Sequence, residues 1–475
     1  MKHLIFVILL LSFQYTFAQV FDTETIKNSG DNDKRINLVI LSEGYRESEL
    51  AKFKTNAINF TTELFNQSPF KEYANYFNVH IIKVASNQSG ADHPGTSTNP
   101  METPTSPLTP VINVDTYFNA TYDSFGSHRL LYYEIDGYSA NNTQLKITNL
   151  LATNFPTYDQ ALILVNSAEY GGSGGEFPMA YTGSWGSKVI MHELGHSLFN
   201  LKDEYYPGDE LAAEAINMTQ ETNANLVKWK NWLNINGVGI HQYTCNSGNC
   251  ARWYKPHQNC IMESIDKSFC SVCKEGMVEK IHSLQSPIDS YIPVSNELIS
   301  PLFPLEFQLN LIKPVPNTLK SNWVLNNINF ASDLDAVSIS ETDLNEGMNT
   351  LTVSVNDETS LLKVNNHDTF HLYTITWNID NSTLGIKNIN SEIANYNISM
   401  FPNPTNDIVN LKFESDSNTD LKVDIVSLDG KMIKTVSLTN YLNSPVDLSN
   451  LSTGIYVTNF YSGNALIASR KLIKN

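Results

Sequence analysis

Basic residues are few in this 475-residue chain. Lysine and arginine number 31 against 49 aspartates and glutamates, so the formal net charge is −18 at pH 7. A surface of that sign repels phosphate groups, which argues against nucleic acid or an anionic membrane as a partner. Hydrophobic residues still make up 41% of the chain, enough for packed cores, so a disordered protein is excluded. The length favours roughly two to four domains.

Long hydrophobic runs are also scarce. Residues 4–13 form an apolar stretch that is too short to span a bilayer, and no later stretch is long and apolar enough for a transmembrane helix. Lys2 and His3 precede this stretch, and Ala18 follows it closely. The arrangement predicts a secretory signal peptide, residues 1–18, that is cleaved after Ala18.

Cysteine is confined to one window, which contains Cys245, Cys250, Cys260, Cys270 and Cys273. In an exported chain such a cluster predicts disulfides that close a loop-rich region, although the spacing does not determine their pairing. Because five is odd, at least one thiol is free or pairs with another chain. The alternative is a second zinc ion bound by four thiolates, including the C-x-x-C pair of Cys270 and Cys273.

The stretch that carries chemistry is H-E-x-x-H, formed by His192, Glu193 and His196. Residues four apart lie on one face of a helix, so the two imidazoles converge on one point. Zinc accepts imidazole nitrogens, and a catalytic zinc site has three protein ligands and one position for water. The motif therefore predicts one catalytic Zn²⁺, with Glu193 as the base that takes a proton from zinc-bound water.

The third ligand requires a longer argument. The metzincin pattern H-E-x-x-H-x-x-G-x-x-H places a histidine where this chain has Lys202, a charged donor without a free lone pair. Asp203 and Glu204 follow, and both offer oxygen atoms that zinc accepts. Either can return to the metal only if the chain turns soon after His196, and Asn200 readily adopts the left-handed conformation of such a turn. We favour Asp203 over Glu204 because its shorter side chain has fewer torsions to freeze.

Around this motif the sequence predicts an α/β layer, because strand patterns alternate with a helix pattern. Buried strands are expected at residues 35–41, 77–84 and 161–165. A helix is expected at about residues 48–65, a long loop at residues 86–110, and a polar helical region after the zinc helix up to about Trp232. The glycine-rich residues 170–177 either let a peptide backbone approach an edge strand or form an ordinary flexible loop.

Further residues are candidates for supporting roles in the site. Tyr205, Tyr206 or His257 could stabilise an oxyanion, and the spacing does not choose between them. Met262 follows a cysteine in a predicted tight turn, which indicates either an apolar floor beneath the metal or an ordinary core residue.

Several separated motifs occur in the order found in the secreted zinc peptidases named for immunoglobulin A cleavage. They are residues 38–45, 89–94, 115–126, 128–131, 192–205 and 260–262. From about residue 37 to residue 282 the chain resembles this family. The resemblance implies zinc ligation by His192, His196 and Asp203, general-base catalysis by Glu193, and a place beneath the metal for Met262. The resemblance does not identify the substrate more closely than as an extracellular protein or peptide.

The composition changes near residue 285, and residues 286–304, with several prolines, predict a linker. Beyond it, hydrophobic and polar residues alternate with the period of a strand. The alternating positions are Leu351, Val353, Val355, Tyr373, Ile375, Trp377 and Ile379. This pattern predicts an all-β, immunoglobulin-like sandwich, which we interpret as a spacer rather than a ligand-binding module.

The last segment contains short alternating strands, a Pro402-Asn-Pro404 opening, a predicted Asp429-Gly430 hairpin turn and the block Gly454-Ile-Tyr456. It resembles the type A C-terminal sorting domain of the type IX secretion system of Bacteroidetes. The resemblance implies a small β-sandwich that the type IX secretion machinery recognises, export across the inner and outer membranes, and removal of this domain on export. Another adhesion module is the alternative.

These features together predict a multidomain protein that is secreted or associated with the cell surface. Its expected parts are the signal peptide (1–18), an α/β metzincin-like zinc peptidase domain (19–285), an immunoglobulin-like sandwich with its leading linker (286–392) and the sorting domain (393–475). The predicted function is that of a zinc-dependent endopeptidase. The alternative is a surface adhesin or glycan-binding protein with a vestigial zinc site. The intact Glu193 weighs against the alternative, because a purely structural site needs no base.

Overall fold

The computed structural model describes residues 19–94, 112–127, 129–133, 141–299, 301–382, 397–414, 420–428, 430–439, 443–463 and 465–475. The chain forms two compact units, Met1–Asn381 and Ser382–Asn475. Four predictions fall outside the described residues. They concern the signal peptide, most of the loop at residues 86–110, His128 of the motif at residues 128–131, and Asp429 of the predicted hairpin.

The first part of the first unit is an α/β layer around a mixed six-stranded sheet. Its elements in chain order are β1 (Asp22–Lys27), β2 (Ile36–Glu43), α1 (Leu50–Leu64), β3 (Phe77–Lys83), β4 (Ala120–Thr121), β5 (Tyr132–Tyr133), α2 (Asn141–Asn154), β6 (Gln160–Val165), β7 (Gly172–Ser173), β8 (Met179–Tyr181), α3 (Gly186–Ser197), β9 (His241–Gln242), β10 (Tyr254–Lys255) and α4 (Ser271–Leu284). The sheet order is β1-β3-β2-β6-β8-β7, in which β3, β2, β6 and β8 are parallel and the edge strands β1 and β7 are antiparallel to their neighbours.

The central strands are apolar because both faces of the sheet are covered. Every residue of β2 and β6 is buried, as is typical of parallel strands in α/β proteins. Helix α1 buries Phe53, Ala57, Phe60 and Leu64 against this core. The three predicted strands and the predicted helix are confirmed to within two residues at each end, whereas α2, α4 and β1 were not predicted.

Helix α3 carries the H-E-x-x-H motif and ends at Ser197. Asn200 has a φ of 58°, and the Leu201 amide donates to the Gly195 carbonyl at 2.8 Å, which closes the helix with a left-handed turn. The predicted turn at Asn200 is confirmed. It reverses the chain so that the residues after Lys202 return towards the helix.

The predicted helical region after α3 is wrong. Residues 198–270, all within the described part of the chain, contain turns, 3₁₀ turns and the β9–β10 pair but no α-helix. Polar side chains in this region bind loop backbone instead of covering a helix. Asn217, for example, accepts from the Lys202 amide at 2.9 Å and donates to the Lys202 carbonyl at 2.7 Å.

The rest of the first unit is a sandwich of two sheets. Its elements are β11 (Ile288–Ile292), β12 (Glu297–Ile299), β13 (Leu305–Leu311), β14 (Leu319–Leu325), β15 (Ile328–Ser332), β16 (Ala336–Ile339), β17 (Met348–Asp357), the short helix α5 (His367–Phe370) and β18 (Tyr373–Asp380). The sheets β11-β13-β16 and β12-β18-β17-β14-β15 share a core that includes Phe307, Trp323 and Trp377.

The predicted linker at residues 286–304 is wrong, because Ile288–Ile292 form β11 and Glu297–Ile299 form β12. The prolines mark the strand ends rather than an unstructured connection, and the carbonyl of Pro293 accepts a hydrogen bond from Trp377 Nε1 at 2.9 Å. The alternation at β17 and β18 is confirmed: Leu351, Val353 and Val355 are fully buried, as are Trp377 and Ile379.

The second unit is a smaller pair of sheets around its own core. Its strands are β19 (Asn397–Phe401), β20 (Ile408–Glu414), β21 (Leu421–Ser427), β22 (Met432–Leu438), β23 (Ser444–Asp447), β24 (Gly454–Ser462) and β25 (Ala465–Lys474). The sheets are β19-β20-β23 and β22-β21-β24-β25, and buried residues of both, such as Leu411, Ile425 and Phe460, form one cluster.

Candidate active site

Three of the side chains predicted to bind a metal meet at one point. His192 and His196 lie one turn apart on α3, with their Nε2 atoms 3.2 Å apart. Asp203, brought back by the turn at Asn200, places Oδ1 3.1 Å from His192 Nε2 and 3.2 Å from His196 Nε2. The three donor atoms therefore form an almost equilateral triangle.

The second nitrogen of each imidazole orients the ring. His192 Nδ1 lies 2.9 Å from the carbonyl oxygen of Ile261, and His196 Nδ1 lies 2.8 Å from that of Leu201. A carbonyl only accepts hydrogen bonds, so these contacts assign the proton of each neutral ring to Nδ1. Both Nε2 lone pairs then face the carboxylate of Asp203, as in metal sites where a backbone carbonyl orients the histidine.

This arrangement fits a tetrahedral metal ion. Zinc binds nitrogen and oxygen at about 2.0–2.2 Å, which separates two tetrahedral ligand atoms by about 3.3 Å, close to the observed distances. Three lone pairs held this close repel one another unless a cation or protons lie between them. The donor set, two imidazoles and one carboxylate, is one that zinc accepts in catalytic sites.

The electrostatics of the triangle favour positive charge at its centre. Burial alone lowers the pKa of His192, but the Asp203 carboxylate outweighs burial and raises this pKa to about 9. Burial conversely raises the pKa of Asp203, but the two imidazoles outweigh it and lower the pKa to about 2. In the absence of a metal, protons supply the positive charge that the three side chains share.

Glu193 faces the same site from α3. One of its carboxylate oxygens lies within 4.8 Å of a ring nitrogen of each histidine, and burial raises its pKa. A Cβ atom at Gly174 would lie 2.7 Å from Glu193 Oε2, so this glycine makes room for the carboxylate. A carboxylate with a raised pKa beside a metal site has the property required of a general base.

The glycine-rich segment does not offer a free strand edge at β7. Gly172 bridges to Leu130 on the side away from β8, and Ser173 Oγ donates to the Leu131 carbonyl at 2.6 Å. A peptide that paired with β7 at Gly172 would have to displace Leu130. The segment leaves space for Glu193 at Gly174, and Tyr170, Ser173 and Gly175 line the open space beside the site.

Two clefts flank the triangle. One has a volume of about 430 Å³ and includes Tyr170, Val189 and Ile265, and the other has a volume of about 500 Å³ and includes Asn200 and Leu211. Both clefts are also lined by Leu130, His192, Glu193 and Tyr205. The candidate site thus lies at the junction of two open spaces.

Tyr205 is the one oxyanion candidate among the three that lines these clefts. Its ring stacks parallel to that of His192 at 6.5 Å, and burial together with the Asp203 carboxylate raises its pKa, so the hydroxyl stays a donor. The hydroxyl of Tyr206 donates to Asp209 instead. His257 contacts the carbonyl of Asn236 at 3.0 Å outside the clefts.

Met262 lies directly beneath α3. It is fully buried, and a Cβ at Gly195 would lie 2.7 Å from its sulfur atom. The position of Met262 explains why a glycine is tolerated in the middle of the helix despite its low helix propensity. The Met262 carbonyl also accepts the Glu204 amide at 2.7 Å, which ties the loop after α3 to this segment.

The motif at residues 38–45 has a structural role that its sequence did not reveal. Glu43, at the end of β2, is fully buried and accepts hydrogen bonds from Thr116 Oγ1 at 2.6 Å and from the amides of Phe118 and Ala120 at 2.9 Å. It thereby joins this motif to the motif at residues 115–126.

Glu204, the other candidate for the third ligand, belongs to a different cluster. Its carboxylate lies among the buried thiols of Cys260, Cys270 and Cys273. The prediction of disulfides holds for one pair, Cys245–Cys250, whereas these three thiols are free. Asp203 and Glu204 are adjacent in sequence but contribute to separate clusters.

An α/β layer with an H-E-x-x-H helix, a nearby aspartate and an open cleft is the arrangement of a peptidase. Residues 25–244 match the family model described as IgA Peptidase M64, and residues 399–475 match that described as Secretion system C-terminal sorting domain. Over residues 25–244, a little under half of its length, the chain is therefore similar to IgA peptidases of the M64 family, which are metallopeptidases, and residues 399–475 are similar to C-terminal secretion sorting domains. The sorting domain implies export by the type IX secretion machinery to the cell surface or the medium.

Among the described residues, no helix has the length and apolar character needed to cross a membrane.

Solved structures are similar only to parts of the chain. Dimeric latent PorU from Porphyromonas gingivalis has 13% identity over 39% of this chain and 20% of its own, with a TM-score of 0.15. β-Glucuronidase from Parabacteroides merdae has 10% identity over 48% of this chain and 28% of its own, also with a TM-score of 0.15. Similarity at this level supports no functional argument. No curated protein matches the chain.

Proposed function

We propose that this chain is a secreted zinc-dependent endopeptidase in which His192, His196 and Asp203 bind the ion and Glu193 is the general base. The observation that carries the proposal is the triangle of two Nε2 atoms and one Oδ1 atom with sides of 3.1–3.2 Å. Two backbone carbonyls hold both imidazoles in the tautomer that a metal requires. A metal-binding arrangement with a base beside it supports hydrolysis more strongly than ligand binding.

The chemistry divides between the ion and the chain. Held by His192, His196 and Asp203, a Zn²⁺ ion would supply the Lewis acidity that polarises a scissile carbonyl and activates a water molecule. Glu193 would take a proton from the attacking water as the water oxygen bonds to the carbonyl carbon, and would return this proton to the amine nitrogen as the C–N bond breaks. Tyr205, whose phenol is protonated at neutral pH and which lines both clefts, would donate to the oxyanion.

The two clefts support cleavage within a chain rather than at its end. Because two adjoining clefts share Glu193 and Tyr205 in their walls, an extended peptide has room to continue past the scissile bond. An exopeptidase closes one side of its site and binds the terminal charge there. The substrate class proposed is therefore an extended segment of an extracellular protein.

The domain arrangement proposed follows the predicted boundaries. Residues 19–285 form the metzincin-like catalytic domain with Met262 beneath the metal, residues 286–392 an immunoglobulin-like spacer, and residues 393–475 the sorting domain. In this arrangement β11 and β12, at residues 288–299, belong to the spacer sandwich and take the place of the expected linker.

The experiment that tests the function is hydrolysis of casein and of a proteome-derived peptide library by the mature protein. We expect internal cleavage that a chelator abolishes and added Zn²⁺ restores. The alternative, a surface adhesin or glycan-binding protein with a vestigial site, has no specific observation in its favour. The absence of chelator-sensitive cleavage from every substrate would support it and reject the peptidase.

A further inference from the structure

A second cluster of metal-binding side chains lies outside the candidate active site. Cys260, Cys270, Cys273 and Glu204 place one donor atom each within 4.8 Å of the others. Cys260 Sγ is 3.7 Å from Cys273 Sγ, and Glu204 Oε1 is 3.2 Å from Cys273 Sγ and 3.7 Å from Cys270 Sγ. Glu204, Cys260 and Cys273 are fully buried, and Cys270 is 6% exposed.

The buried carboxylate has hydrogen-bond partners on one oxygen only: Glu204 Oε1 accepts from Asn217 Nδ2 at 3.3 Å and from the thiols of Cys270 and Cys273. Glu204 forms no ion pair with any residue in the described parts of the chain, and its Oε2 atom is buried without a hydrogen-bond partner. Lys255 approaches it, but the ammonium group donates to the Glu204 carbonyl oxygen at 2.6 Å and to Glu263. A buried charge without a partner costs several kcal/mol, so carboxylates in such positions are normally paired or coordinate metals.

We propose that these four residues bind a second, structural Zn²⁺. Zinc binds thiolates at about 2.3 Å, so two tetrahedral sulfur ligands lie about 3.8 Å apart and a sulfur and an oxygen ligand about 3.5 Å apart. The observed sulfur–sulfur separation of 3.7 Å and sulfur–oxygen separations of 3.2 and 3.7 Å lie within about 0.3 Å of these values. A sulfur-rich set of four protein ligands with no open position is characteristic of structural zinc sites, and it distinguishes this site from the triangle at His192.

The backbone around the cluster is arranged to support thiolates. The Cys270 amide donates to Cys260 Sγ at 3.3 Å, and the Cys273 amide to Cys270 Sγ at 3.5 Å. Cys270 is the N-cap of α4, a helix of 14 residues, so the positive end of the helix dipole faces the cluster. N–H···S hydrogen bonds and a helix N-terminus both stabilise negative charge on sulfur.

The proposed site would stabilise the geometry of the active site. Glu204 follows Asp203 in sequence, and Cys260 precedes Ile261, whose carbonyl orients His192. One ion would therefore hold together the start of α4, the loop after α3 and the segment beneath α3. This inference concerns metal content and thiol state, so it can succeed or fail independently of the proposed peptidase activity.

The test is the metal content of the purified full chain, measured by mass spectrometry of the metal. We expect about two zinc ions in the wild type. His196→Ala should lose one and Cys273→Ser the other. The matched control, Cys245→Ser with Cys250→Ser, removes the disulfide and should leave the metal content unchanged. In protein prepared with Co²⁺, the sulfur-to-cobalt charge-transfer absorption should be absent from Cys273→Ser and present in His196→Ala.

A second measurement does not depend on whether the variants fold. The wild type is denatured with a chelator and no reductant and then alkylated, and we expect Cys260, Cys270 and Cys273 all to react. If only one reacts, the other two form a disulfide and the proposal is wrong. The proposal of a second site is also wrong if the wild type binds one ion and His196→Ala binds none. If the wild type binds one ion and Cys273→Ser loses it, the proposed function is wrong and the second site is supported.

Discussion

The triangle at His192 and the cluster at Cys260 are neighbouring sites with opposite properties. The first has three oriented donors beside two clefts, and the side chain of His196 is 24% exposed. The second has four donors and is sealed from solvent. Metal sites that keep an open position can bind substrate or water, whereas saturated sites stabilise structure. Asp203 and Glu204 are adjacent in sequence, but each belongs to its own site, so we expect the first to serve reactivity and the second to serve stability.

The two sites are mechanically linked although their proposed roles differ. The Glu204 amide donates to the Met262 carbonyl at 2.7 Å, and Ile261, between Cys260 and Met262, orients His192. We therefore expect substitutions at the triangle to remove activity and leave stability intact. Substitutions of residues that connect the triangle with the cluster should lower stability. The following variants test this division.

The largest effect is expected for His196→Ala. Removing one imidazole leaves two donors, and we expect peptide cleavage to fall roughly 10³-fold or more, well beyond the 10–100-fold cost of losing a residue that only supports a ligand. The thermal midpoint of the metal-loaded protein should change little, because the sealed site keeps its ion. Loss of both ions in this variant would show that the two sites are not separate.

Gly174→Ala should reduce catalysis without affecting metal content. The added Cβ would lie 2.7 Å from Glu193 Oε2, so the carboxylate must move. A displacement of about 1 Å in a reacting group can cost on the order of 10²-fold in rate. We expect kcat to fall roughly 10–100-fold with an unchanged thermal midpoint. Full activity would mean that Glu193 does not need its observed position.

Gly195→Ala should affect stability more than chemistry. Alanine is favoured over glycine within a helix by about 1 kcal/mol, but its Cβ would lie 2.7 Å from Met262 Sδ, and overpacking a core costs about 1–3 kcal/mol. We expect a net loss of up to about 2 kcal/mol in the free energy of unfolding, measured by urea denaturation. In a Met262→Ala background the same change should be neutral or stabilising, because the clash is gone. An equal loss in both backgrounds would contradict this packing.

A further effect is expected at the other end of α4, where stability should depend on pH rather than on metal. Asp357 accepts hydrogen bonds from Tyr73 at 2.6 Å and Thr318 at 2.6 Å and lies 3.0 Å from His282 Nε2. Burial raises the pKa of Asp357, but the contacts with His282, Thr318 and Tyr73 outweigh it and hold the pKa below its usual 3.8.

The pKa of Asp357 is lower in the folded state than in the unfolded state. Its contribution to the free energy of unfolding is therefore fully present at a pH above the unfolded-state pKa. This contribution is lost as the pH falls through the folded-state pKa. Asp357→Asn should cost about 1–3 kcal/mol at pH 7, and the difference from wild type should shrink below about pH 4. Urea denaturation at several pH values, with and without a chelator, measures this. A difference that depends on the chelator would link this contact to the sealed site.

The sequence was most informative where the site depends on local geometry. The spacing of His192 and His196 and the turn at Asn200 act within a dozen residues, so local rules alone are enough to place Asp203 beside the imidazoles. The central strands were equally clear because burial on both faces leaves continuous apolar runs.

Features that depend on distant contacts were not predictable. The carbonyl of Ile261 lies 69 residues from His192, and Glu204 lies 69 residues from Cys273. Neither separation leaves a periodic pattern in the sequence. Prolines between short strands resembled a linker at residues 286–304, and polar residues that bind loop backbone, such as Asn217, resembled the exposed face of a helix.

The most direct test of the central claim is Glu193→Gln in the full-length protein, which changes one oxygen to an amide nitrogen and leaves all proposed metal ligands in place. Cleavage of a substrate peptide and the zinc content are measured on the same sample. We expect cleavage to fall by roughly 10²–10⁴-fold or more, with the zinc content equal to that of the wild type. Undiminished turnover in a protein that retains its zinc would contradict the role of Glu193 as the base.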